Sequence, residues 1–474
     1  MIGATVNHPL FGRGAVLELR SAGREAAVRF DSGIRAVTQV SMLTVLGESA
    51  AAAGGVTSHK PLAARSTETQ LSPRKKRTLE ARRTIEALRY GVVPIQRIRD
   101  LSAGLSAERD SLHRGLDEVE RSGGDVRIVL GEYGTGKSHF FELAAQEALE
   151  RNFLVATASL DVREVPPNRP QRIYNALVRA LRYPDSPDSG SLAPLLDRIV
   201  SQPALYASLM EKARGTLFSS VLSNYSMLHK AGGEPFDLLM DWISGEKLFI
   251  KSVRDALPAN GKEFPVPALS MMTTAADQYC YLLNGWGWIA HEAGYAGLAI
   301  LLDESEHYSL LNARGQERAD NFFKGMIYTA MASRPGCRID KEALQHQRRE
   351  HPFRFAERSE LLLMFAVTPS ANTFDYRRWL NEDQILSLKG RPSREEMDAL
   401  VAHLRELHRE AYSYDRASQD SGIAHGLLEF LENGLLNLRQ VIRLATEIHD
   451  LTFTYPDFDD TQAVTEIRRA LTGR

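Results

Sequence analysis

The chain has 474 residues, 43% of them hydrophobic and 25% charged, with a formal net charge of -2. That length exceeds one ordinary core and points to two or three globular units, while the near-neutral balance excludes a whole-molecule polyanion binder. No apolar run nears the ~18 residues of a membrane span, and Met1–Gly14 lacks the basic-then-apolar pattern of a secretory leader, so the expectation is a cytoplasmic chain with no membrane partner.

In chain order, residues 1–46 alternate apolar and polar positions between glycine turns, which predicts strands at Ala4–Asn7, Ala15–Arg20, Glu25–Phe30, Ile34–Gln39 and Leu43–Leu46. Short strands joined by tight turns fit a small all-β SH3-like barrel. The string from His8 to Gly14 resembles the Tudor-like modules at the ends of some bacterial helicases, where they contact protein or nucleic acid. Residues 47–78 read as a flexible linker, dominated at first by Ala, Gly, Ser and Thr. The cations Arg74, Lys75, Lys76, Arg77, Arg82 and Arg83 then mark either the solvated head of a helix running to Tyr90 or a nucleic-acid contact.

From 79 to 390 the pattern is α/β. Apolar runs at Val126–Leu130, Phe153–Ser159, Leu298–Leu302 and Leu361–Val367 predict strands of a parallel sheet buried on both faces, with a fifth at Gln384–Leu388. Between the second and third lies a segment, 162–297, far longer than a crossover needs, which predicts an inserted helical subdomain; Leu177, Ala180 and Leu181 share one helical face there. The stretch 391–474 reads as a helical lid. Ser393 and Glu396 form a capping box, and a later helix begins near Asn437. Cys280 and Cys337 have neither CxxC spacing nor histidine neighbours, so no zinc or disulfide framework is expected.

Three segments carry chemistry. Gly131, Glu132, Tyr133, Gly134, Thr135, Gly136, Lys137 and Ser138 satisfy G-x-x-x-x-G-K-[ST] between an apolar strand and an amphipathic helix. The glycines let backbone N–H groups converge on phosphate, Lys137 supplies a mobile positive charge, and the Ser138 hydroxyl is the expected Mg²⁺ ligand for bound ATP. The run Leu298–Leu302 ends in Asp303 and Glu304, which divides labour between a metal ligand and a residue that polarises water. Glu306 and His307 follow as second choices, either near the site or capping the next helix. Thr368, after the fourth strand, stands where an AAA+-like enzyme reads the γ-phosphate, unless it is a plain N-cap or turn residue. Arg377 and Arg378 stand at an arginine finger's station, acting on a neighbouring copy in a homo-oligomer, or are surface charges.

The glutamate directly after the metal carboxylate favours the additional-strand, AAA+-like branch of P-loop NTPases over kinases, which need an acceptor pocket instead. The string Gly434–Arg439 resembles the second-sensor motif of origin-recognition-type AAA+ proteins, implying that Arg439 touches the γ-phosphate. Together, Arg82–Pro94, Leu130–Phe140 with His139 after Ser138, and Leu302–Glu304 resemble the ATP-binding proteins of bacteriophage-exclusion (BREX) systems, the BrxD-like group, over roughly residues 80–450. The resemblance implies an ATPase subunit working with a helicase or other antiviral-defence component on DNA. The alternative is a STAND-type assembly switch with little turnover.

Overall fold

The computed structural model describes residues 5–8, 12–20, 25–30, 35–39 and 44–45, and from 72 to 472 all but 96, 187–189, 260–263, 270–274, 332–333, 335–336, 347–350, 370–371, 415–419 and 456. Most of the linker segment and Ser370 lie outside the described residues. The chain divides into two units, Met1–Thr69 and Gln70–Arg474.

The first unit carries β1 (Thr5–His8), β2 (Gly12–Arg20), β3 (Glu25–Phe30), β4 (Arg35–Gln39) and β5 (Thr44–Val45), joined antiparallel in the order β4-β3-β2-β1-β5. A register shift between Val16 and Glu18 puts a bulge in β2, which sharpens the local twist. The second strand starts at Gly12, three residues before the expected Ala15.

The second unit opens with α1 (Pro73–Arg89), so the last residues of the expected linker are helical, with proline in the first turn where its missing N–H costs nothing. There follow α2 (Ser106–Ser122), β6 (Asp125–Leu130), α3 (Lys137–Glu150), β7 (Phe153–Ser159), α4 (Pro170–Arg179) and β8 (Leu181–Arg182). The helices α5 (Ala193–Val200), α6 (Pro203–Lys212), α7 (Leu217–Leu228), α8 (Glu234–Ile243), α9 (Ile250–Ala256) and α10 (Ala276–Glu292) lead to β9 (Gly297–Asp303). After α11 (Ala313–Met331) come β10 (Leu361–Val367), α12 (Tyr376–Trp379) and β11 (Ile385–Ser387), then α13 (Arg394–Tyr412), α14 (Asp420–Glu432), α15 (Leu438–Thr454) and α16 (Asp460–Thr472).

The six-stranded sheet runs β11-β6-β10-β9-β7-β8, parallel throughout except for the short edge strand β8 against β7. Its residues alternate between two cores, as a period of two requires. Val129, Leu301, Met364 and Ala366 face α2 and α3, whereas Ile128, Ile300, Leu363 and Phe365 face α11 and the helices of the long insertion. Those helices pack as a continuation of the sheet's own core: Phe218 lies edge-on to Trp286, and Trp286 donates to the Tyr174 hydroxyl at 2.9 Å. Leu181 corrects the helical face expected of Leu177, Ala180 and Leu181, because α4 ends at Arg179 and Leu181 pairs with Ala156 on β7.

A third core unites α1 with α13–α16. Ser393 accepts from the N–H of Glu396, whose carboxylate returns to the Ser393 N–H at 2.7 Å, which fixes the start of α13. Inside this bundle His408, fully buried, contacts Asp450 at 2.7 Å, and Asp450 also takes a bidentate contact from Arg89. Burial works to raise the Asp450 carboxyl, but the hydrogen bonds from His408 and Arg89 outweigh it and hold the group at about 2.

Candidate nucleotide-binding site

All six residues of β6 are buried, so the strand is held on both faces up to Leu130, where the chain must turn. The Gly131 N–H donates to Val367 O at 3.1 Å and the Leu388 N–H to Leu130 O at 2.7 Å, which ties the loop to β10 and β11. Gly134 and Gly136 take φ values of 81° and 101°, a left-handed backbone that disfavours any side chain. α3 then begins at Lys137 with no acidic residue in its first turn, so no protein carboxylate in that turn answers the positive end of the helix dipole.

The buried Lys137 ammonium gathers the site. It donates to Gly131 O at 2.8 Å and to Thr368 Oγ1 at 2.9 Å, and lies 3.7 Å from Glu306 Oε1. Thr368 in turn donates its hydroxyl proton to Glu306 Oε1. The phosphate loop, the end of β10 and the segment after β9 therefore meet at one side chain, although β10 separates β6 from β9 in the sheet.

The backbone after β9 explains how Glu306 arrives there. The Glu304 N–H is held by Asp303 Oδ1 at 2.8 Å, and Glu304 adopts φ 56°, a left-handed conformation uncommon for a residue with a side chain. Buried Ser305 bonds back to Leu302 O at 3.2 Å and opens a short 3₁₀ turn, Ser305–Leu310. Half-buried Glu304 has its pKa raised, first by burial and then by the neighbouring Asp303 and Glu306 charges, with Lys137 and His307 opposing. Glu306 Oε2 is buried without a hydrogen-bond partner.

A cavity of about 590 Å³ adjoins the loop, bordered by Val92–Pro94, Leu101, Ala103–Leu105, Gly134–Gly136, His139, Lys389–Gly390 and the start of α15. His139 bonds Ser102 at 2.8 Å, and burial lowers its pKa to about 4, so at neutral pH it fastens the cavity wall without adding charge. Asn437, the N-cap of α15, crowds the loop so closely that a Cβ on Gly134 would meet its Cγ at 2.6 Å. Exposed Arg439 lies over the Tyr133 ring at 5.3 Å and within 3.3 Å of its hydroxyl.

Lys137, Thr368, Glu304 and Asp303 thus sit in one neighbourhood, with Ser138 and His139 on the first turn of α3 and Glu132, Tyr133 and Thr135 in the loop itself. Arg377 and Arg378, with side chains 58% and 80% exposed, pair with Glu382 and Asp375 rather than with that group. Sequence reasoning places Glu306 second and singles out Arg82–Pro94 without showing that Val92–Pro94 borders the cavity, and it misses the Ser102 contact with His139. Among the described residues no three His, Cys, Asp or Glu side chains form a metal-holding cluster, and none of the helices is long and apolar enough to cross a membrane.

No curated protein matches the chain. Among solved structures, the Walker-type ATPase PABY2304 of Pyrococcus abyssi aligns with 78% of this chain and 73% of its own length, at 11% identity and a TM-score of 0.31. Residues 76–211, from α1 through the phosphate loop into α6, match the family model described as the BREX system ATP-binding protein BrxC/D.

Proposed function

We propose that this chain binds ATP with Mg²⁺ and hydrolyses it, coupling the cycle to movement of its helical lid within a BREX-like antiphage assembly. The observation that carries the reading is the convergence of the phosphate loop, Thr368 and the segment after β9 on the Lys137 ammonium. The partnerless Glu306 oxygen and the unanswered N-terminus of α3 fit a site made for a charged, hydrated ligand. Ser138 and Asp303 would hold the ion, and one or two protein oxygens suffice for Mg²⁺, which otherwise keeps water and phosphate ligands. When bound, it would neutralise charge between the β- and γ-phosphates. The loop's N–H groups and Lys137 would bind phosphate, Glu304 would take a proton from the attacking water, and Thr368 would orient the terminal phosphate. The cavity against Val92–Pro94 offers an apolar seat for the base.

The match over residues 76–211 to a BREX ATP-binding family supports the defence assignment and a helicase or other defence protein as partner. Exposed Arg74, Lys75, Lys76 and Arg77, in a first turn without acids where the helix dipole disfavours cations, support contact with DNA. Exposed Arg377 and Arg378 are available to a neighbouring copy, and the five-stranded N-terminal sheet is compatible with an SH3- or Tudor-like recruiting module. The contacts of Asn437 and Arg439 with the loop also favour a second reading, a nucleotide-set switch of the STAND type. Steady-state phosphate release separates the two. Many turnovers per chain, lost on chelating Mg²⁺ and raised by duplex DNA, are expected; release that stops at one phosphate per chain would favour the switch.

A further inference from the structure

Thr368 has one hydroxyl proton, and the structure gives it to Glu306. The same hydroxyl accepts from Lys137, whose charge also faces Glu306 Oε1 at 3.7 Å. On the proposed reading of this site as an ATPase, a terminal phosphate needs these same two donors. A γ-phosphate oxygen brings negative charge to a place where Glu306 already supplies it, and two anions held this close in a partly buried site repel one another. A diphosphate, cradled by the loop's backbone N–H groups, ends short of that contest.

From this geometry we infer that Glu306 is a positioning residue that contests the terminal phosphate for the Thr368 proton and the Lys137 charge. Triphosphate binding displaces the carboxylate, and loss of the γ-phosphate lets it return. Glu306 thereby sets the preference between ATP and ADP, and its release from Thr368 frees the hydroxyl only when a third phosphate has arrived. Its place in the 3₁₀ turn directly after β9 gives it a short route out, because the fold around Ser305 and Leu302 holds the backbone while the side chain swings.

The test is equilibrium binding of ATPγS and of ADP, each with Mg²⁺, to the full chain and to Glu306→Gln. The amide keeps an acceptor for Thr368 but removes the charge, so ATPγS should bind about tenfold tighter while ADP changes by less than about twofold. In a Thr368→Val background the same substitution should move the ATPγS affinity less, since one of the two contested donors is gone. Equal changes for both nucleotides, or weaker ATPγS binding, would overturn the inference. If Glu306→Gln does not fold by thermal unfolding, Glu306→Asp gives the same readout by drawing the carboxylate back from Thr368. A wild-type chain that binds neither nucleotide would sink the ATPase reading and this inference together; binding of both with an unmoved ratio sinks the inference alone.

Discussion

The two ends of the cleft are built by opposite means. At the phosphate end, buried Lys137 is fixed by groups from three sheet-borne segments, and each partner is a strand end or a turn locked to one. At the lid end, exposed Arg439 rests on an exposed tyrosine of the loop, and α15 meets Gly134 through a cap residue. Strand ends in a packed sheet give positional precision, which charge stabilisation in a reaction needs. A helix touching the loop through a few surface groups gives way cheaply, which suits a part that must report on occupancy. On the proposed ATPase reading, the contrast gives chemistry to the first end and motion to the second.

The largest break of that contrast is at Lys137. Lys137→Ala removes the charge on which Gly131, Thr368 and Glu306 converge and leaves Glu306 facing Thr368 without its cation. Nucleotide affinity should fall by at least about a hundredfold, ~3 kcal/mol, and turnover should vanish with it. Fluorescent-nucleotide titration reads this directly, and near-normal affinity would mean that the loop does not hold phosphate.

Glu304→Gln comes next. It should retain ATP yet slow hydrolysis by roughly a hundredfold or more, as removal of a positioned base does. Because the Glu304 pKa is raised by burial and by Asp303 and Glu306, the wild-type rate should fall on acidification at a higher pH than an ordinary glutamate would give, and rise as the carboxyl deprotonates above it. Hydrolysis by the variant at the wild-type rate would move the base to another residue, with Glu306 the nearest.

Legibility in the sequence followed the same divide. The positions of the glycine loop, Asp303 and Thr368 at strand ends are legible because each follows an uninterrupted apolar run, and a strand buried on both faces leaves one place for its polar end to go. From the sequence, Glu306 comes behind Glu304 as a candidate because its reach depends on a left-handed residue and a 3₁₀ turn, and nothing in the composition marks Glu304 as left-handed. Leu181 misleads because its spacing from Leu177 suits a helix, while the chain leaves α4 at Ala180 and pairs Leu181 with the edge of β7. The cavity wall is hidden for a different reason: Val92, Leu101 and Ile442 come from separate elements, and only the packed helical core brings them round one volume.

The smallest expected effect sharpens the comparison most. Arg439 contributes an exposed stack and one 3.3 Å contact to Tyr133, interactions worth about 0.5–1 kcal/mol at such a surface. Arg439→Ala should therefore change ADP affinity by no more than about fivefold. If the lid end is the moving part, the loss should appear in turnover, where Arg439 would leave Tyr133 for the terminal phosphate, and Arg439→Lys should restore part of it by keeping the charge. Equal, small losses for ADP, ATPγS and turnover would show that Arg439 only braces Tyr133, and the lid would then have to sense occupancy through Asn437 and the backbone of Gly134.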